Sequence, residues 1–201
     1  MSNTMLEGPS GKLVKVLGDN QLSVISESIT PGAYTAYFQR HVTILTGDVT
    51  LTSDSESILL WIKYIPASNT KLFITNYIFT NGDSTGGGTN DTRFTLYKNG
   101  TSGTIVSGAT NATVRNRNFS GPDVMPGLAY VGQEGRTLTD GTNVGIVTLS
   151  STTRRQEIEQ AARPFVLERN NTFAIGCIPP SGNTNMTVRA IVFAYQAQIE
   201  E

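Results

Sequence analysis

Reactive side chains are scarce in this chain of 201 residues, which holds one cysteine, one histidine and one tryptophan, with only 15% of its residues charged. The lone Cys177 has no partner for an internal disulfide, and it sits in the strand-like run 172–178, so it is expected as a buried, unreactive thiol. A chain of this kind suits folding in a reducing compartment. The lone His41 removes most nucleophile–base pairs and every multi-histidine metal set. It precedes a strand and is expected at the surface or an edge rather than as a general base. With 15 basic and 16 acidic side chains, the chain lacks the broad positive field that nucleic acid or an anionic membrane would require. The opening residues carry neither a basic n-region nor an apolar h-region, so no secretion signal is expected, and no apolar run approaches the ~20 residues of a membrane span. The six Asn-x-Ser/Thr triplets, beginning at Asn90, Asn99, Asn111, Asn118, Asn170 and Asn185, then follow from a composition rich in Asn, Thr and Ser rather than from glycosylation.

Strand text is what the chain does have. In the run 57–65, alternation places Ile58, Leu60, Ile62 and Tyr64 on one face and Leu59, Trp61 and Ile65 on the other, and both faces are apolar. Such a strand must be covered on both sides, by a second sheet or by a partner subunit. The run 71–80, after the turn 66–70, is expected as its neighbour. The closing run 185–196 is apolar on both faces too, with Val188, Ala190, Val192 and Ala194 small on one side and Ile191, Phe193 and Tyr195 bulky on the other. The small face permits close approach of a facing sheet, and both runs are expected as central strands.

Between these runs lie many short strands and turns. Runs 13–17 and 22–25 flank the turn tetrad 18–21 and predict a hairpin, with a break at Thr30-Pro31-Gly32. Two strands alone are marginal in water, so residues 1–32 are expected either as an arm resting on another molecule or as an extra edge hairpin of the main sheet. Val42 and Ile44 keep one register and Val49 and Leu51 the other, which predicts a bulge or tight turn at Gly47-Asp48. Residues 81–91 hold no apolar side chain and form a loop whose Asp83, Asn90 and Asp91 do not match a calcium-loop spacing. Asn99-Gly100 predicts a hairpin with residues 104–119 returning as the partner of the preceding strand. Arg115-Asn-Arg-Asn-Phe119 is a small basic patch, too poor in aromatics for a stacking platform and better suited to a strand edge or a subunit contact. One segment, 153–162, has a helical pattern: a Thr-x-x-Gln capping box, Glu159 four residues before Arg163, and a stop at Pro164.

Candidate chemistry is thin. Asp83, Asp91, Asp123, Glu134 and Asp140 all lie in polar turns where carboxylates belong without a catalytic role, and no cofactor or metal is expected. A sugar platform needs exposed aromatics, yet Trp61 lies in the most apolar run; only some of the seven tyrosines remain available for one.

The order of these signals, with Lys12-Leu-Val-Lys-Val-Leu-Gly-Asp-Asn-Gln-Leu-Ser-Val24, Thr46-Gly-Asp-Val-Thr-Leu-Thr-Ser53, Ser57-Ile-Leu-Leu-Trp-Ile-Lys63 and Ile178-Pro-Pro-Ser-Gly-Asn-Thr-Asn-Met-Thr-Val188, resembles virion structural proteins of tailed bacteriophages. The resemblance implies an all-β, antiparallel sandwich of jelly-roll type over residues 33–201, an N-terminal arm over 1–32, and at most one short helix. It also implies a non-enzymatic structural protein of the virion, made in the host cytoplasm. On this reading the chain is a capsid decoration protein assembling as a homotrimer on the major capsid protein or another virion protein; the alternative is a tail or fibre component that binds a carbohydrate or receptor. Subunit contact would use the surplus apolar face around Trp61. Contact with the partner would use Leu13, Val14, Val16, Leu22, Val24, Tyr34, Tyr37 and Phe38, with neither nucleic acid nor membrane involved.

Overall fold

The computed structural model describes residues 5–7, 13–16, 22–23, 41–67, 69–82, 85, 91–107, 109–117, 121–150, 155–159 and 163–198. In chain order the strands are β1 (Met5–Glu7), β2 (Leu13–Val16), β3 (Leu22–Ser23), β4 (His41–Leu45), β5 (Val49–Leu51), β6 (Ser57–Tyr64), β7 (Thr70–Asn81) and β8 (Thr92–Lys98). They continue with β9 (Thr110–Asn111), β10 (Thr113–Asn116), β11 (Gly127–Val131), β12 (Thr142–Leu149), β13 (Arg155–Glu159), β14 (Phe165–Leu167), β15 (Thr172–Ile178) and β16 (Met186–Gln198). There is no helix among the described residues.

Two antiparallel sheets pack face to face. One runs β10-β4-β16-β7-β13 and the other β12-β8-β15-β6-β11-β9. Numbering the principal strands β4, β6, β7, β8, β12, β13, β15 and β16 from 1 to 8 turns these orders into 1-8-3-6 and 2-7-4-5. The pairs β4–β16, β6–β15, β7–β13 and β8–β12 are therefore the successive rungs of one long hairpin rolled up so that alternate rungs fall in opposite sheets. That is a jelly roll. Residues 99–141, inserted at the tip of the roll, add β10 beside β4 on one sheet and β11 with β9 beside β6 on the other.

The inner faces explain the roll. Val188, Ala190, Val192 and Ala194 of β16 are all fully buried, and their small size lets the other sheet approach closely. Phe79 of one sheet stacks on Phe94 of the other with centroids 4.4 Å apart. β6 and β16 both lie inside their sheets, as their two-sided apolar text predicts. The predicted bulge is present: Leu45 pairs with Ile191 and Val49 with Val188, so three residues oppose two. Gly47 takes φ of +73° there, while Ala190 donates its N–H to Thr46 Oγ1 at 3.0 Å.

Several sequence expectations fail for one shared reason, that pairing partners are chosen in space. β7 is not the neighbour of β6; the turn carries the chain to the other sheet, with Tyr64 and Thr70 hydroxyls 2.7 Å apart across it. Asn99-Gly100 closes no hairpin with 104–119, because β8 already pairs with β12 and β15. Asn99 does adopt the left-handed conformation its type favours, at φ +58°. The expected helix at 153–162 is replaced by β13, whose residues pair with β7 from Arg155↔Thr80 to Glu159↔Asn76. A helix that short is marginal in isolation, whereas the long β7 otherwise leaves a row of backbone groups unpaired. Finally, a register shift opposite Leu59 exchanges the faces of β6 at its start, so Leu59 joins Leu60 in the main core and Ile58 joins Trp61 outside it.

The predicted N-terminal hairpin is present as β2 paired with β3, with β1 added on the other side of β2. Among the described residues these three strands pair only with one another.

Candidate functional site

Trp61 decides where an interface can lie. Its side chain is 2% exposed, and the cover is neither the second sheet nor left to a partner subunit. Ile58, Trp61, Ile105 and Ala174 form a second buried cluster on the outer face of the sheet, packed against Tyr97, Val106, Ala109, Tyr130 and Leu138. Tyr130 stacks on the indole at 5.5 Å and 11°, and the indole N–H donates to Gly100 O at 2.8 Å. The insertion 99–141 thus seals the surplus apolar face from within the same chain, and the expectation that subunits meet there is corrected. Gly132 makes the seal possible, since a Cβ at that position would lie 1.6 Å from Ile58 O.

Three of the five candidate carboxylates are clips for this insertion. Asp140 accepts from the Thr101 and Ser102 amides at 2.8 and 2.7 Å and from the Thr101 hydroxyl at 2.7 Å. Glu134 accepts from the Thr52 amide and hydroxyl, both at 2.7 Å. Asp123 takes the Asn116 amide and the Arg115 guanidinium, each at 2.7 Å. These donors hold all three carboxyls below their ordinary range, led by the Thr101 hydroxyl for Asp140, the Thr52 hydroxyl for Glu134 and the Asn116 amide for Asp123. A carboxyl held ionised by several donors is a poor general acid, so their geometry is that of structural ties. Asp91 is exposed, and Asp83 lies outside the described residues.

Cys177 is fully buried in the main core, and burial raises its thiol far above the ordinary range, as expected of an inert cysteine. His41 corrects its expectation. It is 9% exposed, on β4 between β10 and β16 rather than at an edge, and its Nε2 is buried without a hydrogen-bond partner. Burial first, and the nearby Arg117 charge second, lower its pKa from 6.5 to about 4. Arg117 itself lies over the Phe193 ring at 5.5 Å, and Arg115 pairs with Asp123, so the basic patch is used within the fold along the edge strand β10.

No described aromatic is exposed: Tyr64, Tyr77 and Tyr195 are buried, and Tyr97 and Tyr130 are half-buried around Trp61. A flat sugar platform is therefore missing among the described residues, which also hold no group of three or more His, Cys, Asp or Glu placed for a metal. No described helix is long and apolar enough to cross a membrane. Thr85 forms an isolated antiparallel bridge with Asn185. A shallow cleft of about 160 Å³ opens where β8, β14 and β15 meet, lined by Lys98, Asn99, Phe165 and Asn171 among others. It brings together no acid–base pair.

Of the predicted partner-binding residues, Leu13, Val14 and Val16 lie in β2 and Leu22 in β3, with Val16 and Leu22 as register partners. Val24, Tyr34, Tyr37 and Phe38 lie outside the described residues. The feature that sequence reading missed is the edge strand β12, whose exposed Ile146 is visible in the text but whose edge position is not.

No family model matches the chain, and no curated protein does. Among solved structures, a chain from a crystal structure of the IBDV viral particle is similar over 91% of this chain and 45% of its own length, at 11% identity and a TM-score of 0.18. This chain thus spans less than half of that one, and the TM-score lies below what a shared fold gives, so the jelly roll assigned here rests on strand order alone.

Proposed function

We propose that this protein is a non-enzymatic structural component of a virus particle, a capsid decoration protein of tailed-phage type that self-associates and docks through its N-terminal residues onto a capsid or other virion protein. The observation that carries this reading is the division of labour along the chain. Every described strand of the two sandwich sheets lies between His41 and Gln198, while β1–β3 form a sheet of their own. Strands of three, four and two residues bury too little to stand alone in water, so such a sheet needs a surface to rest on. The jelly roll adds support by analogy, since capsid and lectin domains both use it, and the structural use of the polar side chains adds more. The fibre or glycan-binding alternative has less support, since no aromatic platform is exposed among the described residues.

The test is co-sedimentation of the purified protein with capsids lacking it. Full-length protein is expected to saturate the capsids, and a variant lacking residues 1–30 to remain in the supernatant. Binding of the truncated protein at full occupancy would remove the arm from the mechanism.

A further inference from the structure

Among the described residues the two sandwich sheets end on several strands, most of them short or charged and so blunted against pairing with another chain. β9 has two residues and β14 three. β10 has four, with Arg115 and the Asn116 amide both held by Asp123. β13 has five, among them Arg155, Glu157 and Glu159. The least blunted is β12, eight residues long, Thr-Asn-Val-Gly-Ile-Val-Thr-Leu, without a charge or a proline; its register shifts between Asn143 and Gly145, and from Gly145 to Leu149 it runs regularly against β8. Among the described residues it pairs with β8 alone. Alternate residues of an antiparallel strand turn their N–H and C=O away from the partner, so its outer side presents a row of backbone donors and acceptors. On the same strand Ile146 is 52% exposed, next to Thr142, Asn143 and Thr148, which are also exposed. Long uncharged edges with an outward β-branched residue are what soluble β-proteins avoid unless the edge is used.

We propose that β12 is a pairing edge for a second copy of this chain, joined antiparallel about a twofold axis through Ile146, so that the two six-stranded sheets become one continuous sheet. The occupant follows from the chemistry of the strand. A neutral strand offers no charge for a foreign partner to recognise, whereas twofold self-pairing sets no like charges opposite one another and places Ile146 against Ile146 of the other copy, covering both half-exposed side chains. The pairing deepens the self-association named above and is independent of docking by the arm.

Light scattering after gel filtration of the full chain tests it. The wild type is expected at an even multiple of the protomer mass. Ile146→Lys and Ile146→Glu are each expected at half that mass, because like charges then meet at the axis, and an equimolar mixture of the two is expected to recover the wild-type mass. Ile146→Cys supplies a second readout: it is expected to cross-link into a disulfide dimer under mild oxidation, since the native Cys177 is fully buried and silent. A monomeric wild type, charged variants that keep the wild-type mass, a mixture that stays dissociated, or an Ile146→Cys protein that does not cross-link would each overturn the pairing. Capsid co-sedimentation of the same variants separates the two readings: binding without dimerisation leaves docking standing, and dimerisation without binding leaves the pairing standing.

Discussion

At the residue scale, Trp61 and His41 have opposite relations to burial. The indole is enclosed, stacked and hydrogen-bonded, so its removal leaves a cavity and costs Gly100 O one of its two donors. Trp61→Ala is expected to cost about 3–5 kcal/mol in urea denaturation. Trp61→Phe is expected to cost only about 1–2 kcal/mol, because the ring stack survives and Gly100 O still accepts from the Thr172 hydroxyl at 2.7 Å. As the sole tryptophan, Trp61 also reports its own environment, and its emission is expected to be blue-shifted and shielded from acrylamide. His41 is buried neutral. Its folded pKa, near 4, lies below the ordinary 6.5, so the unfolded chain takes up the proton first. The stability tied to its neutrality is present in full above pH 6.5 and is lost as pH falls from 6.5 towards 4. Urea midpoints for the wild type are expected to fall across that window more steeply than those of His41→Gln. Equal slopes would show that the imidazole is solvated in the folded state.

At the element scale, the insertion 99–141 is the part that distinguishes this jelly roll. It is bound to the sheet it covers by the Ile58 amide on Arg136 O at 2.8 Å and by the Gly132 amide on Leu59 O at 2.8 Å, and its two ends are tied to each other by the Asp140 clip on Thr101 and Ser102. Replacing it by a short turn is expected to leave the eight-stranded roll folded but to expose Ile58, Trp61 and Ala174, seen as new binding of a hydrophobic dye and a red shift of tryptophan emission. Asp140→Ala is a milder version: the Thr101–Ser102 segment loses its acceptor, and acrylamide quenching of Trp61 is expected to rise with little change in circular dichroism. Unchanged quenching would mean that Gly100 and Leu138 hold the cover without the carboxylate. None of this could be read from 99–141 as text. The segment shows small polar residues with scattered Ile105, Val106 and Leu138, and only the sheet beneath gives those three a shared purpose.

At the scale of the whole molecule, the described strands before His41 pair only with one another and the sandwich strands follow it. A protein lacking residues 1–30 is expected to keep a single cooperative urea transition; loss of that transition would make the N-terminal segment part of the core rather than an arm. The sequence by itself determined the all-β class, the central places of β6 and β16, the bulge at Gly47 and the inert cysteine. Each of these follows from alternation, side-chain size or φ preference, which act within a few residues. Tertiary structure alone decided that β7 crosses to the other sheet, that 155–159 pairs as a strand instead of forming a helix, that His41 is buried, that the outer face at Trp61 is covered from within the chain, and that β12 is left as an edge. The physical reason is common to all five: a strand's local pattern states which faces are apolar and how many backbone bonds it must make, but not which distant segment will satisfy them, and that choice belongs to the rolled-up topology as a whole.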